Sequence, residues 1–241
     1  MKIYGKTDIG RVRELNEDSF VFGNLTEKAA YIAVCDGMGG ANHGEVASEM
    51  ATDRIKDNFQ SKYKDEYTDS NTKNLIITTL NLANADIYDK SRIYPEYTGM
   101  GTTVCLSIIK NNGDFVVGNI GDSRAYIVGD TVRQISEDHS LVWDLLKKGE
   151  ISKEDMENHP DKNVITRALG VENKVDADIY FDTFSNGETL LICSDGLSGY
   201  VSEEDIIHCC KNSLEDAAES LIEKANEAGG KDNITVVLCR L

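Results

Sequence analysis

The feature that most constrains the fold is a short apolar run that stops abruptly at an aspartate. Residues 31–35 are followed at once by Asp36 and Gly37. The run is too short for a helix and is bounded by helix breakers, so it predicts a buried β-strand. Asp36 then lies at the rim of a sheet, where a carboxylate is costly unless a cation neutralises it. The pattern leaves open whether that cation is a metal ion or an arginine.

The same arrangement recurs along the chain. Asp195 and Asp232 also adjoin glycine at the ends of apolar runs, and Asp18 and Asp122 occupy similar positions at strand ends. Several carboxylates on one sheet rim repel each other unless cations intervene. Oxygen ligands without histidine or cysteine clusters suit Mg²⁺ or Mn²⁺ rather than zinc. The four histidines are scattered and are interpreted as structural: His43, His139, His159 and His208.

Hydrophobic periodicity places both helices and strands along the chain. Helices are predicted over residues 44–63, 71–92, 203–212 and 214–228, with Asn71 as the cap of the second. Strands are predicted over residues 2–8, 19–22, 31–35, 102–109, 115–120, 125–128, 131–135, 175–181, 189–193 and 234–238. The strands between 102 and 135 are joined by tight turns, which indicates an antiparallel meander and excludes a purely parallel sheet. Residues 140–170 are expected to be mostly helical and to form a mobile flap.

Composition narrows the class of partner. The 25 basic and 42 acidic residues give a formal net charge of −17. Nucleic acid and anionic membranes both demand a basic face, so neither is expected as a partner. The acidic surplus suits a cation-binding protein, although a solubilising surface explains it equally well. The six cysteines form no C-x-x-C pair, and the start of the sequence has no signal peptide. No apolar segment approaches the ~18 residues of a membrane span. We therefore expect reduced thiols and a cytoplasmic location.

Six short motifs rich in glycine and acidic residues follow one another along residues 13–233. They are Arg13-Glu14-Leu15-Asn16-Glu17-Asp18, Asp36-Gly37-Met38-Gly39-Gly40, Gly99-Met100-Gly101-Thr102-Thr103, Gly118-Asn119-Ile120-Gly121-Asp122-Ser123-Arg124, Ser194-Asp195-Gly196 and Gly230-Lys231-Asp232-Asn233. Each motif is weak alone, but the ordered set is highly specific. In this order the motifs resemble the metal-dependent protein phosphatases of type 2C, and especially their bacterial branch.

The resemblance implies one phosphatase domain over residues 1–241 with an α+β fold. This fold is a four-layer αββα sandwich of two antiparallel β-sheets flanked by helices. The implied activity is hydrolysis of phosphoserine and phosphothreonine in proteins by direct attack of a water or hydroxide held between two Mn²⁺ or Mg²⁺ ions. The implied partners are phosphorylated proteins and a bacterial serine/threonine kinase that the enzyme opposes. We expect a monomer.

The resemblance also assigns roles to particular residues. Asp36 would bridge the two ions and, with Arg13, form the catalytic pair, since the planar fork of an arginine suits the substrate phosphate. The flap at about 140–170 would face the substrate. The implied metal ligands are Asp36, the Gly37 carbonyl, Asp195 and Asp232, with Glu17 and Asp18 acting through water and Asp122 at a weaker third ion.

Two positions depart from patterns common in the family. Met38 stands where members from higher organisms carry a histidine that is proposed as the general acid. Gly199 stands where many bacterial members have a further aspartate near the third ion. Asp122 is therefore expected to hold that third ion as its only protein carboxylate.

Two other functions remain as alternatives. A nucleotide-binding module is the first, because residues 37–42 nearly fit G-x-G-x-x-G and Asp57 follows about 20 residues later. The third glycine is missing, however, and Asp36 would face a pyrophosphate with negative charge. The second is a catalytically inactive signalling scaffold of the same fold. Such a scaffold usually lacks a metal aspartate, whereas Asp36, Asp195 and Asp232 are all present.

Overall fold

The computed structural model describes residues 1–39 and 43–241. Residues 40–42, which include the end of the glycine-rich motif after Asp36, lie outside the described part. The described strands are β1 Lys2–Asp8, β2 Asp18–Asn24, β3 Ala29–Met38, β4 Gly101–Thr102, β5 Val104–Lys110, β6 Asp114–Ile120, β7 Arg124–Val128, β8 Val132–Gln134, β9 Asp178–Thr183, β10 Thr189–Cys193 and β11 Ile234–Arg240. The helices are α1 Gly44–Lys62, α2 Asp69–Ile93, α3 Leu141–Lys147, α4 Lys153–Glu157, α5 Asp195–Ser198, α6 Glu203–Cys209 and α7 Leu214–Glu227, with a short 3₁₀ turn at Pro95–Tyr97.

The strands form two sheets. The first has the order β1-β11-β10-β7-β8, and the second has the order β2-β3-β5-β6-β9, with β4 paired to the end of β3. All strand pairs within the described ranges are antiparallel. The βαβ unit that a dinucleotide-binding motif requires is absent from these ranges. The nucleotide-binding alternative is therefore wrong.

The core has three parts that stack the sheets and helices into four layers. One apolar cluster lies between the two sheets, a second packs α1 and α2 on the second sheet, and a third packs α6 and α7 on the first. Strand β3 contributes to two of these clusters, because Ile32 and Val34 face the sheet interface while Tyr31, Ala33 and Cys35 face the helices. Burial on both faces explains why the run before Asp36 is apolar without alternation. The predicted αββα sandwich is confirmed.

One predicted helix cap, one predicted strand and one predicted helical segment were wrong. Helix α2 is capped by Thr68, whose side chain accepts from the Asn71 amide, while Asn71 completes the capping box from inside the helix. The predicted strand over 102–109 is broken at Thr103. Residues 140–170 are not mostly helical, because α3 and α4 cover only 141–147 and 153–157 and the remainder consists of turns and extended chain. In the described ranges, no helix combines the length and apolar character that a membrane crossing requires.

Candidate active site

The site begins where β2 and β3 pair. Asp18 and Asp36 are directly opposite each other in the antiparallel register, so they lie on the same face of the second sheet. Like charges in such a cross-strand pair are destabilising. The sequence had placed both residues at strand ends. The register now shows that this sheet holds two carboxylates against each other.

The backbone of Asp36 is fixed from the neighbouring strand. Its amide donates to Thr103 Oγ1 at 3.1 Å, and the Thr103 amide donates to the Asp36 carbonyl at 2.8 Å. Thr103 can do this because it interrupts the strand between β4 and β5. With its backbone satisfied in this way, Asp36 presents its carboxylate to the adjoining cleft.

A cleft of about 260 Å³ opens above this pair and gathers residues from distant parts of the chain. Seven of the eight predicted site residues line it: Arg13, Glu17, Asp36, Gly37, Asp122, Asp195 and Asp232. The structure therefore brings together carboxylates that are separated by up to about 200 residues in sequence. The remaining cleft residues are Met38, Gly39, Thr103, Asn163, Ile165 and Asn233.

Asp18 is the predicted site residue that does not line the cleft. Its Oδ2 accepts hydrogen bonds from Ser194 Oγ at 2.8 Å and from Thr235 Oγ1 at 2.6 Å, both on the first sheet's side of the site. Its Oδ1 is inaccessible to solvent and has no hydrogen-bond partner. Asp18 thus ties the two sheets together behind Asp36 and keeps one oxygen free.

Arg13 lies at the mouth of the cleft and is paired with Asp232. Its Nη2 is 2.8 Å from Asp232 Oδ2, and its side chain is 47% exposed. Burial lowers the pKa of Arg13, but the hydrogen bond and charge of Asp232 raise it above its usual value. The guanidinium therefore stays charged and is half open to an incoming anion.

Glu17 and Gly37 both contact Gly44, the first residue of α1. Glu17 Oε1 accepts from the Gly44 amide at 3.1 Å, so its carboxylate serves the helix N-terminus in place of a capping side chain. A Cβ at Gly37 would lie 2.3 Å from the Gly44 carbonyl oxygen and 2.5 Å from that of Glu17. Only glycine fits there, which explains why it follows Asp36.

Four aspartates of the site have pKa values above the usual value of an aspartate. Burial, followed by the charges of Asp18, Asp195 and Asp122, raises the pKa of Asp36 well above its usual value. Burial likewise raises the pKa of Asp18 to about 7, against the hydrogen bonds from Thr235 and Ser194. Burial and neighbouring carboxylates raise the pKa of Asp195 to about 6 and that of Asp122 to about 8. Neutralising these groups without protons requires cations from outside the chain.

The donor set fits divalent cations. Asp18 Oδ1 and Asp195 Oδ1 are both buried without a partner, and the cleft offers oxygen atoms rather than imidazole or thiolate. In the described ranges, no three acidic, histidine or cysteine side chains form a ready-made metal site by themselves. A hard ion that keeps several waters and takes a backbone carbonyl suits such a site, as Mg²⁺ and Mn²⁺ do.

Asp122 also lines a second, larger cavity that adjoins the cleft. This cavity measures about 630 Å³, and Asp122, Asp195 and Asn163 line both spaces. Gly199 lies on its wall, at the end of α5. An aspartate at position 199 would face the same cavity as Asp122, so the glycine there leaves Asp122 with one fewer acidic neighbour.

Sequence reasoning missed four contributors to the site. Thr103 and Asn233 stood inside quoted motifs without an assigned role, yet Asn233 Oδ1 accepts from the Glu17 amide at 2.8 Å. Asn163 and Ile165 come from the 140–170 segment. The signal for Asn233 was its place directly after Asp232, and the signal for Thr103 was its place at the end of the Gly99–Thr103 motif. Neither periodicity nor composition marks Asn163 or Ile165.

Comparison with known proteins agrees with this geometry. A family model described as "Protein phosphatase 2C" matches residues 9–238. Serine/threonine phosphatase stp of Listeria innocua is 44% identical over 236 residues, covering 97% of this chain and 93% of that protein. Protein phosphatase PhpP of Streptococcus pneumoniae is 35% identical over 242 residues, covering 99% and 96%. The crystal structure of serine/threonine phosphatase Stp1 from Staphylococcus aureus has a TM-score of 0.94 at 31% identity, covering 100% and 94%. This chain therefore belongs to the protein phosphatase 2C family, a family of metal-dependent enzymes.

Proposed function

We propose that this chain hydrolyses phosphoserine and phosphothreonine in proteins. The observation that carries the proposal is the cleft in which Asp36, Asp195 and Asp232 converge beside the charged, half-exposed Arg13. The carboxylates can hold cations, and a phosphate dianion can then bind between those cations and the Arg13 guanidinium. The named relatives in Listeria, Streptococcus and Staphylococcus are phosphatases, which supports the same substrate class.

The cleft residues would hold two Mn²⁺ or Mg²⁺ ions. Bound ions of this kind activate water for in-line attack at phosphorus and neutralise charge on the phosphoryl oxygens. Asp36 would be a ligand of both ions, the Gly37 carbonyl would bind the first, and Asp195 and Asp232 would complete the second. Glu17 and Asp18 would contribute through water. Asp122 would hold a weaker third ion.

The chain's own residues bind and orient the substrate. Arg13 binds the phosphoryl oxygens through the planar set of N–H donors on its guanidinium. Before substrate binds, its ion pair with Asp232 keeps the side chain at the cleft mouth. The thioether of Met38 cannot donate a proton, so the leaving alkoxide takes its proton from water. Cys35, which lies beside Asp36, is buried, and burial raises the pKa of its thiol, which leaves it unfit as a nucleophile.

The test is turnover by the purified chain of p-nitrophenyl phosphate and of matched phosphoserine, phosphothreonine and phosphotyrosine peptides. We expect hydrolysis of the first two peptides with Mn²⁺ and none with EDTA, and Asp36→Asn serves as the control for contaminating phosphatase. Absence of turnover under every metal condition would favour the inactive-scaffold alternative, which no described feature of the cleft supports. Hydrolysis that persists in EDTA would contradict the metal-dependent mechanism.

The setting of the enzyme is also part of the proposal. All six cysteines are free and buried, which suits a reducing compartment and supports a cytoplasmic location. The physiological substrates are phosphorylated proteins, and a serine/threonine kinase supplies them. The monomeric state stays a prediction.

A further inference from the structure

One buried histidine lies between the loop that carries Asp122 and the end of the 140–170 segment. His139 is 5% exposed and follows the ion-paired Asp138. Its backbone holds both sides, because its amide donates to the Gly121 carbonyl at 2.9 Å while its carbonyl accepts from the Thr166 amide at 2.8 Å. Its imidazole repeats that connection with side-chain atoms.

The first ring nitrogen faces the Asp122 loop. The Gly121 amide donates to His139 Nδ1 at 3.1 Å. A backbone N–H can only donate, so Nδ1 is unprotonated and the proton of the neutral ring is on Nε2. Arg167 Nη1 lies 3.2 Å from Nε2, but both atoms carry protons, so each donates to Asp178 rather than to the other. Gly121 has a φ of +105°, and a Cβ there would lie 2.6 Å from the side chain of Thr103. The imidazole therefore holds a turn that requires glycine, directly before Asp122.

The second ring nitrogen faces the end of the 140–170 segment. Nε2 lies 3.1 Å from Asp178 Oδ2 at the start of β9, and Arg167 Nη1 donates to Asp178 Oδ1 at 3.1 Å. Arg167 also donates to the Asp176 carbonyl at 3.3 Å. This contact anchors the chain just after Asn163 and Ile165, the two residues that the segment places in the cleft.

We propose that His139 is a positioning residue with two separable contacts, Nδ1 fixing the turn before Asp122 and Nε2 fixing the cleft-facing end of the 140–170 segment through Asp178 and Arg167. The proposal rests on the proposed function, because it assigns Asp122 to cation binding and residues 163–165 to the substrate side of the cleft. Burial lowers the pKa of His139 below its usual value, although the hydrogen bond to Asp178 raises it, and this agrees with a neutral ring.

Two substitutions separate the contacts. In His139→Asn, the amide oxygen stands near the position of Nδ1 and can still accept from Gly121, but nothing reaches Asp178. In His139→Gln, the longer amide reaches the position of Nε2 and can still donate to Asp178, but Gly121 loses its acceptor. His208→Asn, at an exposed histidine of α6, is the matched control.

Hydrogen exchange of the metal-free chain is the first readout, and it does not depend on catalytic activity. We expect His139→Gln to raise exchange of the Gly121 amide about tenfold, with residues 163–167 unchanged. His139→Asn should leave Gly121 protected and raise exchange in residues 163–167. If both variants raise exchange equally in both places, or in neither, the two contacts are not separable and the proposal is overturned.

Mn²⁺ calorimetry and steady-state kinetics are the second readout. His139→Gln should weaken only the low-affinity Mn²⁺ phase, several-fold. His139→Asn should raise KM for a phosphopeptide about fivefold while leaving KM for p-nitrophenyl phosphate and Mn²⁺ affinity unchanged. A lowered Tm with all these constants unchanged would show a merely structural histidine and overturn the proposal.

Asp178→Asn keeps the experiment decisive should the core substitutions fail to fold. Asp178 is 40% exposed, so its replacement leaves the core intact while it weakens the Nε2 contact. It should reproduce the effects of His139→Asn and leave the Gly121 amide protected. An equal change in hydrogen exchange at Gly121 and at residues 163–167 would again overturn the proposal. If the wild type hydrolyses no phosphate ester at all, the proposed function fails while the exchange pattern still decides the role of His139.

Discussion

Asp36 lines the cleft and Asp138 lines the larger cavity beside it, and the two carboxylates have opposite electrostatic surroundings. Asp138 has a side chain only 8% exposed and receives a bidentate pair from Arg124, with Nε 2.9 Å from Oδ1 and Nη2 2.7 Å from Oδ2. Asp36 faces Asp18 across the strands instead, and its neighbours at the cleft are further carboxylates. One carboxylate has its cation within the chain, whereas the other does not.

The difference teaches how to distinguish a structural carboxylate from a binding one. When an arginine donates to both oxygens of a buried carboxylate, the charge is neutralised and both oxygens have a hydrogen-bond partner, so the pair has a structural role. A buried acid among other acids raises its pKa and leaves oxygen atoms without partners, as Asp18 and Asp195 do. Such a cluster stores repulsion that an external cation relieves.

The largest effect should follow removal of the central acid. Asp36→Asn keeps the shape but removes the charge that both ions share, so we expect the turnover number with Mn²⁺ to fall at least about a thousandfold. Hydrolysis of p-nitrophenyl phosphate measures this, and circular dichroism checks the fold. Thr103→Ser, which keeps a hydroxyl for the Asp36 amide, is the matched control. Turnover in Asp36→Asn within tenfold of wild type would contradict the assignment.

The internal pair should respond in stability rather than in chemistry. Arg124→Met leaves Asp138 buried without a counter-ion, and breaking such a pair destabilises by about 3 kcal/mol. Urea unfolding in EDTA measures the change. Arg133→Met is the control, because its ion pair with Asp182 is more exposed and should matter by less than about 1 kcal/mol. Equal losses in both variants would remove the contrast between the two kinds of carboxylate.

Replacing Arg13 should change substrate binding more than it changes stability. We expect Arg13→Ala to raise KM for a phosphopeptide about tenfold, since a charge-assisted bidentate contact contributes about 1–3 kcal/mol. Arg13→Lys keeps the charge and loses the fork, so its KM should lie between those of Arg13→Ala and wild type. The half-exposed pair with Asp232 should contribute under about 1 kcal/mol to stability. A lower Tm with KM unchanged would identify Arg13 as structural.

The smallest effect is a slope of stability against pH. Asp18, Asp122 and Asp195 have folded-state pKa values raised to about 7, 8 and 6, so the folded, metal-free protein keeps protons that the unfolded chain has lost above about pH 4. The unfolding free energy in EDTA should fall as pH rises from 5.5 to 8. His139, whose pKa burial lowers, opposes this below about pH 6.5 but is one group against four, because the pKa of Asp36 is raised as well. Thermal unfolding at both pH values gives the sign, and a Tm that rises with pH in EDTA would contradict it.

Sequence reasoning reached the sheets and the acidic site because each rests on local signals. Apolar runs ended by Asp-Gly mark the strand ends that carry Asp36 and Asp195, and turn residues mark the meander. The fates of Asp18 and Asp138 could not be read this way. Only the strand register shows Asp18 facing Asp36, and only the hairpin of β7 and β8 brings Asp138 to Arg124.

The same limit explains the 140–170 segment. Its polar helical pattern indicated helix, but the chain instead returns to the body through single contacts, such as the pairing of Ser140 with Ile165 and of Thr102 with Leu169. Such contacts depend on the finished sheets and leave no periodic trace. Asn163 was therefore missed, although it lines the cleft.

The central claim is that Asp36 destabilises the empty protein and stabilises the loaded one. The direct measurement is the unfolding free energy of wild type and Asp36→Asn, each in EDTA and in saturating Mn²⁺ at pH 7.5. The account predicts that the order inverts. In EDTA the variant should be the more stable, because removing the Asp36 carboxylate relieves its repulsion by the neighbouring carboxylates. In Mn²⁺ the wild type should be the more stable by about 2 kcal/mol or more, because ions that bind only the folded state add to its stability. A variant that is less stable than wild type in EDTA, or equal stabilisation of both proteins by Mn²⁺, would contradict it.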